Sequence, residues 1–483
     1  MTNNSDEAFS DTTVPGRVGA PPRLLTFRNS PAVKFILIGL LTILLLAPAT
    51  FVWVLVEERA DRARDVARDI ARSWGGTQKI NGPYLVVPYD ETALYQTKDG
   101  QTERRKLKRT AVFFPKKLDV SGDIDVEERQ KSIYSLPVYH SRLRLSGRFA
   151  APELDMLKAE SEAGTVSVNM EEAYVVVGIG DISALKSEVL MTLDGAQSVP
   201  FEPGLGAMKP ARGYTSRGAG NMSGGINASV PSQKWRQGFT FDIDLQLNGS
   251  SGLFVAPSGQ TTKVSLASNW PHPGFTGAFL PEERTISEEG FEATWTIPYL
   301  ARGIPKLLQT SEIPLENKLL GVKFVEPVNF YQTISRSLKY AVGFISLTFL
   351  AVFVLEMRSG WSFHWIQYGL VGFALIIFYV MLLAFAEHVG YGPAYLIAAG
   401  AATLLNAVYV GTSLRNRFAG VVMLLVLGAI FGVLFALMRE QDYALLIGSV
   451  IAFVALAVTM FVTQRIDWSG SGEAVPRDDS NPA

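Results

Sequence analysis

The sequence predicts an α-helical polytopic membrane protein with six transmembrane helices and a large β-rich, sandwich-like periplasmic domain. Three observations predict it. A charge-free apolar run lies near the N-terminus, and five more crowd together between residues 339 and 463. Between these two groups, apolar residues recur at every second position, the period of a half-buried strand.

A hydrocarbon core of ~30 Å needs about 20 apolar residues in a helix. The polar stretch 1–34 reads as a disordered cytoplasmic tail, and 35–56 as the first span, with Pro48 expected to kink it. Ala47-Pro48-Ala49 has the small-residue spacing of a signal-peptide cleavage site. The apolar run continues through Phe51–Val56, however, which favours an uncleaved anchor. Residues 57–338 form the expected periplasmic domain. Its first part, 57–74, reads as a helical stalk, with Ala60, Ala63, Ala67, Ile70, Ala71 and Trp74 at helical spacing and Asp/Arg pairs such as Asp65/Arg68 along its surface. Gly75-Gly76 stops it. The clearest strand is Phe239–Leu247, where Phe239, Phe241, Ile243, Leu245 and Leu247 alternate with polar residues. The Gly/Ser/Asn-rich stretch Ser216–Asn227 lacks the strand–turn–helix context of a phosphate loop and reads as a flexible loop.

The remaining spans are expected at Tyr340–Leu355, Ile366–Ala386, Pro393–Thr412, Phe418–Met438 and Tyr443–Thr463, forming a five-helix bundle over 339–463. The first of these is short, and a snorkelling Lys339 would let Ser337 and Leu338 enter the bilayer. A disordered cytoplasmic tail is expected at 464–483. Arg17, Arg23, Arg28, Lys34, Arg358, Arg415, Arg417 and Arg465 flank one side of the spans, while the link 387–392 has no Lys or Arg. The positive-inside rule then puts both termini in the cytoplasm.

Composition narrows the chemistry. Forty-four Lys and Arg against 45 Asp and Glu leave a net charge of −1, which gives no electrostatic reason to expect nucleic acid as a partner. There is no cysteine, and His140, His272, His364 and His388 are scattered, so neither a metal site nor any other cofactor is expected. No nucleophile elbow or nucleotide fingerprint occurs, and no catalytic residue is assigned. Six residues remain as functional candidates. Glu387 and His388 sit at a span end. Gln367 and Asn406 lie in or near spans, where a polar side chain is costly, although interhelical hydrogen bonding explains such residues more often than an ion path does. Trp270 and His272 belong to a Trp-Pro-His-Pro cluster that suits a sugar platform or, more commonly, a packed turn.

The segments Trp74–Tyr89, Ser268–Pro281, Gly290–Trp295, Lys339–Leu350 and Gln367–Leu375 resemble the inner membrane protein CreD family, as do Glu387-His388 and the following Ala394–Ala398. The resemblance covers roughly residues 30–465. It implies a bacterial inner-membrane protein tied to cell-envelope integrity, associated with a two-component stress regulon, colicin tolerance and envelope or β-lactam responses. It brings no catalytic residues. The expected function is therefore non-enzymatic, with membrane lipid and an envelope protein or polymer as partners. The rival readings are a small-solute or ion transporter formed by the helix bundle, and an enzyme that modifies an envelope polymer.

Overall fold

The computed structural model describes residues 31–96, 102–159, 164–209, 224–312, 315, 318–324, 330–359, 361–439 and 444–464. Most of both expected tails, and residues 216–223 of the Gly-rich stretch, lie outside the described residues. The chain divides into two units, Met1–Glu57 with Phe330–Ala483, and Glu58–Asn329.

In the first unit, α1 (Pro31–Leu44) is followed by α2 (Leu46–Trp74), with a one-residue interruption at Leu45. Pro48 accounts for the break: it has no N–H, so the Leu44 carbonyl four residues earlier receives no helical hydrogen bond. α2 continues without interruption into the charged segment, and Arg64–Asp61 and Arg68–Asp65 pair along its surface. Among the described residues, five helical segments are long and apolar enough to cross a membrane. They are Val33–Trp74, Ala341–Ser359, Trp365–Val389, Tyr391–Ser413 and Arg417–Met438.

One boundary differs from the expectation. In the second unit, helices α3 (Ser232–Gln237) and α4 (Tyr299–Arg302) are short, and α5 (Phe330–Lys339) then opens the C-terminal helical region. Ser337 and Leu338 belong to α5, which is separated from α6 (Ala341–Ser359) at Tyr340. α5 is amphipathic: Tyr331, Ile334, Ser337 and Leu338 are buried, while Gln332 and Lys339 are exposed. The helix long and apolar enough to cross a membrane therefore begins after Lys339, at Ala341, and runs past Leu355 to Ser359. α7 (Trp365–Val389), α8 (Tyr391–Ser413), α9 (Arg417–Arg439) and α10 (Ala444–Thr463) follow.

The second unit is built from two sheets. Its strands are β1 (Gln78–Gln96), β2 (Thr102–Phe113), β3 (Lys117–Lys131), β4 (Tyr134–Ala150), β5 (Thr165–Val168), β6 (Tyr174–Ile179), β7 (Leu190–Leu193), β8 (Gln197–Pro200) and β9 (Glu202–Pro203). There follow β10 (Gly225–Ser229), β11 (Gly238–Ser250), β12 (Gly252–Val255), β13 (Thr261–Ser268), β14 (Pro273–Gly277), β15 (Glu283–Ser287), β16 (Gly290–Ile297), β17 (Leu307–Gln309) and β18 (Leu320–Phe324). The first sheet runs β14-β18-β12-β1-β6-β10-β9, with β2 and β5 also paired to β1 and β17 paired to β2. The second runs β15-β16-β13-β3-β4-β11-β7-β8. Most pairs are antiparallel, but β1 pairs with β12 and β3 with β13 in parallel.

Leu85, Val87, Val175 and Val177 of the first sheet share one core with Leu118, Leu145, Ile243 and Leu266 of the second, so the sheets pack face to face. The first sheet is covered on its other side too, where Tyr84, Val86, Val112 and Val176 pack with Phe114, Leu205 and Met208. That is why β6 is buried at every position, whereas β11 alternates.

Arg302 closes this second core. It is 0% exposed, and its guanidinium donates to the carbonyls of Ser258 (2.9 Å), Gly259 (3.3 Å), Ile304 (2.9 Å) and Pro305 (3.2 Å). It also lies 4.3 Å from the centre of the Phe114 ring. Burial pulls its pKa below the usual arginine value. Four carbonyls and an aromatic face thus stand in for a counter-ion. Arg302→Met would leave those carbonyls without donors and is expected to lower stability by roughly 2–4 kcal/mol. Chemical unfolding of the full-length protein in detergent checks this; an unchanged midpoint would show that the carbonyls find other donors.

Candidate functional site

The outward face of the second sheet carries a trough, and the register explains its shape. The parallel pairing of β3 with β13 sets Ser121 beside Ser265 and Asp123 beside Ala267. On one flank, β4 places Arg144 opposite Ser121 and Arg142 opposite Asp123. On the other, β16 places Thr294 opposite Ser265 and Glu292 opposite Ala267. Short side chains therefore floor a channel walled by long ones, enclosing about 530 Å³. Gly122 points inward beneath it, where a Cβ would come within 2.5 Å of Leu143 and 2.6 Å of Leu266.

The walls are held by ion pairs. Arg144 reaches Asp242 through Nε at 3.0 Å and Nη2 at 2.6 Å. This hydrogen bond, with the charge of Asp242 behind it, raises the Arg144 pKa further. Arg142 bonds Asp123 at 3.1 Å. The surface presents both charge signs together with hydroxyl groups, which suits an extended polar segment better than a uniformly charged polymer. Among the described residues, no group of three or more His, Cys, Asp or Glu side chains is placed to hold a metal.

The end of α2 is fixed to this sheet. The Trp74 ring meets His140 edge-on at 5.0 Å, the Arg129 guanidinium lies 4.4 Å over it, and Lys131 reaches Asp69 at 3.3 Å. Gly75, at φ +122°, turns the chain where a Cβ would meet the Asn248 carbonyl at 2.9 Å.

A second polar centre lies among the helices. Glu356, 4% exposed, accepts hydrogen bonds from the Lys34 ammonium, the Phe363 N–H (2.9 Å) and the Tyr368 hydroxyl (2.7 Å). One carboxylate thus ties α1, the end of α6, the following link and α7 together.

A family model described as inner membrane protein CreD matches residues 30–469. The inner membrane protein CreD of Escherichia coli (strain K12) is 34% identical over 431 residues, covering 88% of this chain and 91% of that protein.

The chain belongs to the CreD family.

CreD is not a known enzyme family. In this CreD-family chain the residues singled out from sequence do not come together. Gln367 caps α7: its Oε1 accepts from the His364 N–H at 2.8 Å, and His364 accepts from Ile366. Asn406 is buried in α8 and donates to the Ala402 carbonyl at 2.9 Å. Glu387 accepts from the Tyr331 hydroxyl at 3.1 Å, joining α7 to α5, while the neighbouring His388 is exposed. Trp270 is half-buried against the shared core, and its indole donates to the His272 carbonyl at 3.1 Å. His272 itself is exposed. The adjacent Asn269 clamps Val126 through both backbone groups, so this segment works as a packed turn.

Two features escaped the sequence reading. The trough depends on a parallel pairing across distant segments, and Glu356 meets Lys34 across 322 positions.

Removing one member of a buried ion pair costs about 3–5 kcal/mol. Glu356→Ala should approach that range. Lys34→Ala should cost less, because the ammonium is 27% exposed and the carboxylate keeps two donors. Thermal denaturation of the detergent-solubilised protein measures both, and equal, negligible losses would remove Glu356 as a tie point.

Proposed function

We propose that this CreD-family protein supports the integrity of the cell envelope by presenting residues 57–338 in the periplasm, where the trough of the second sheet binds an extended polar envelope component. In this reading α10 is the sixth span and both termini are cytoplasmic. The orientation is supported by the Lys and Arg that flank one side of the spans, including Lys34, Arg358, Arg415 and Arg417. The binding role rests on one observation: a water-facing channel of short side chains between arginine and glutamate walls, on a sheet whose opposite face is fixed in the core. The protein acts as a binding and anchoring element, with no catalytic step. The transport reading gains no support from Gln367 and Asn406, whose side chains serve the helix backbone.

The absence of cysteine makes the topology directly testable. Ser121→Cys should react with a membrane-impermeant maleimide in spheroplasts, and Asn416→Cys only after lysis; the reverse pattern would overturn the orientation. A photocrosslinker at Ser265 should then capture an envelope component. Arg142→Ala should reduce capture roughly tenfold, the loss of about one charge-assisted hydrogen bond. Capture unaffected by Arg142→Ala and by Glu292→Ala would remove the trough as the binding site.

A further inference from the structure

The crossing of α8 and α9 forms a groove of about 500 Å³ with two chemically distinct parts. Its floor is Gly411 against Gly420, so close that a Cβ on Gly411 would lie 3.1 Å from the Gly420 Cα. Its walls include Val408 and Val421, 57% and 55% exposed in a helix pair whose outer surface is apolar. The mouth is different: Arg415 and Arg417 both line it and both are exposed, and among the described residues no carboxylate lines the groove. An apolar slot therefore opens beneath two cations.

The local backbone adds weight to Arg415. α8 closes with paired hydrogen bonds, Asn416 N–H to the Gly411 carbonyl at 3.0 Å and Arg415 N–H to the Thr412 carbonyl at 3.1 Å. In this motif the penultimate position takes left-handed backbone and is usually glycine. Here it is Arg415, at φ +48°, where an L-residue is less favourable than glycine. Its guanidinium lies 4.5 Å above the Trp361 ring, an aromatic of the kind that settles at headgroup level. A cation is thus kept at a position whose backbone prefers glycine, at the polar end of a slot facing hydrocarbon.

We propose that the α8–α9 groove is a binding site for an anionic phospholipid, with one acyl chain over Gly411 and Gly420 and the phosphate between Arg415 and Arg417. Charge complementarity selects this occupant over a neutral lipid, because a basic mouth with no acid among its described lining residues favours an anionic headgroup. The site is independent of the periplasmic trough.

Native mass spectrometry of the full-length protein, titrated with phosphatidylglycerol or with phosphatidylcholine of the same chains, tests the proposal. Phosphatidylglycerol should be retained at least fivefold better, and each of Arg415→Gly and Arg417→Gln should lower its retention roughly fivefold. Arg415→Gly should keep its thermal midpoint without lipid, since glycine suits that backbone. Equal retention of the two lipids would overturn the site. So would unchanged retention in both variants, displacement of the lipid by glycerol phosphate alone, or a dimer that binds no lipid. A destabilised Arg415→Gly that retains phosphatidylglycerol normally would assign Arg415 to the Trp361 stack instead, and defeat its role here.

Discussion

Hydrocarbon offers backbone N–H and C=O groups no partner, and the layout of the chain follows from that constraint. Segments that meet lipid satisfy their own backbone as helices. The strands of residues 78–324 pair across long distances and form a unit of their own. The buried Glu356 of the helical unit takes three donors, one of them cationic. The β unit solves the same problem with Arg302, whose charge is met by carbonyl dipoles and an aromatic ring rather than by a carboxylate. In both places a buried charge draws together segments distant from its own position: Glu356 meets Lys34 of α1, and Arg302 meets the Ser258-Gly259 turn.

How much was legible in the sequence follows from which surfaces meet water. Phe239–Leu247 could be read residue by residue, because one face of the second sheet is wet and alternation survives there. Tyr174–Ile179 shows no alternation, since the first sheet is covered on both sides and every position is apolar or small; only its short apolar run, Tyr174–Val177, marks it as a strand in the sequence. Strand lengths and the two parallel pairings were hidden, because parallel partners are set by crossovers and leave no local pattern. The helix interruption near Pro48 was legible, since proline acts through its own missing donor. The break at Tyr340 was not: it depends on the amphipathic packing of α5 against neighbouring helices.

The candidate residues show the same division. Unusual residue types drew attention to Gln367, Asn406 and Trp270, yet each is accounted for within a few positions of itself: a helix cap, a bond to the preceding turn, and an indole bonded two residues on. The places where chemistry converges are made of ordinary residues. Ser121, Ser265 and Ala267 are unremarkable alone, and only register turns them into a channel floor. Rarity of a side chain in a sequence measures local cost, whereas a site is a property of what long-range pairing brings together.

The ion pair between Lys34 and Glu356 also has a history within the lifetime of each molecule. The two residues stand 322 positions apart, so at typical translation speeds of ~10 residues per second the lysine waits roughly half a minute for its carboxylate to be synthesised. Through that interval the β unit emerges and can fold while Lys34 has no carboxylate at position 356 to meet. The tie between α1 and α6 is thus ordered in time, since it can close only after the residues that lie between them have been made.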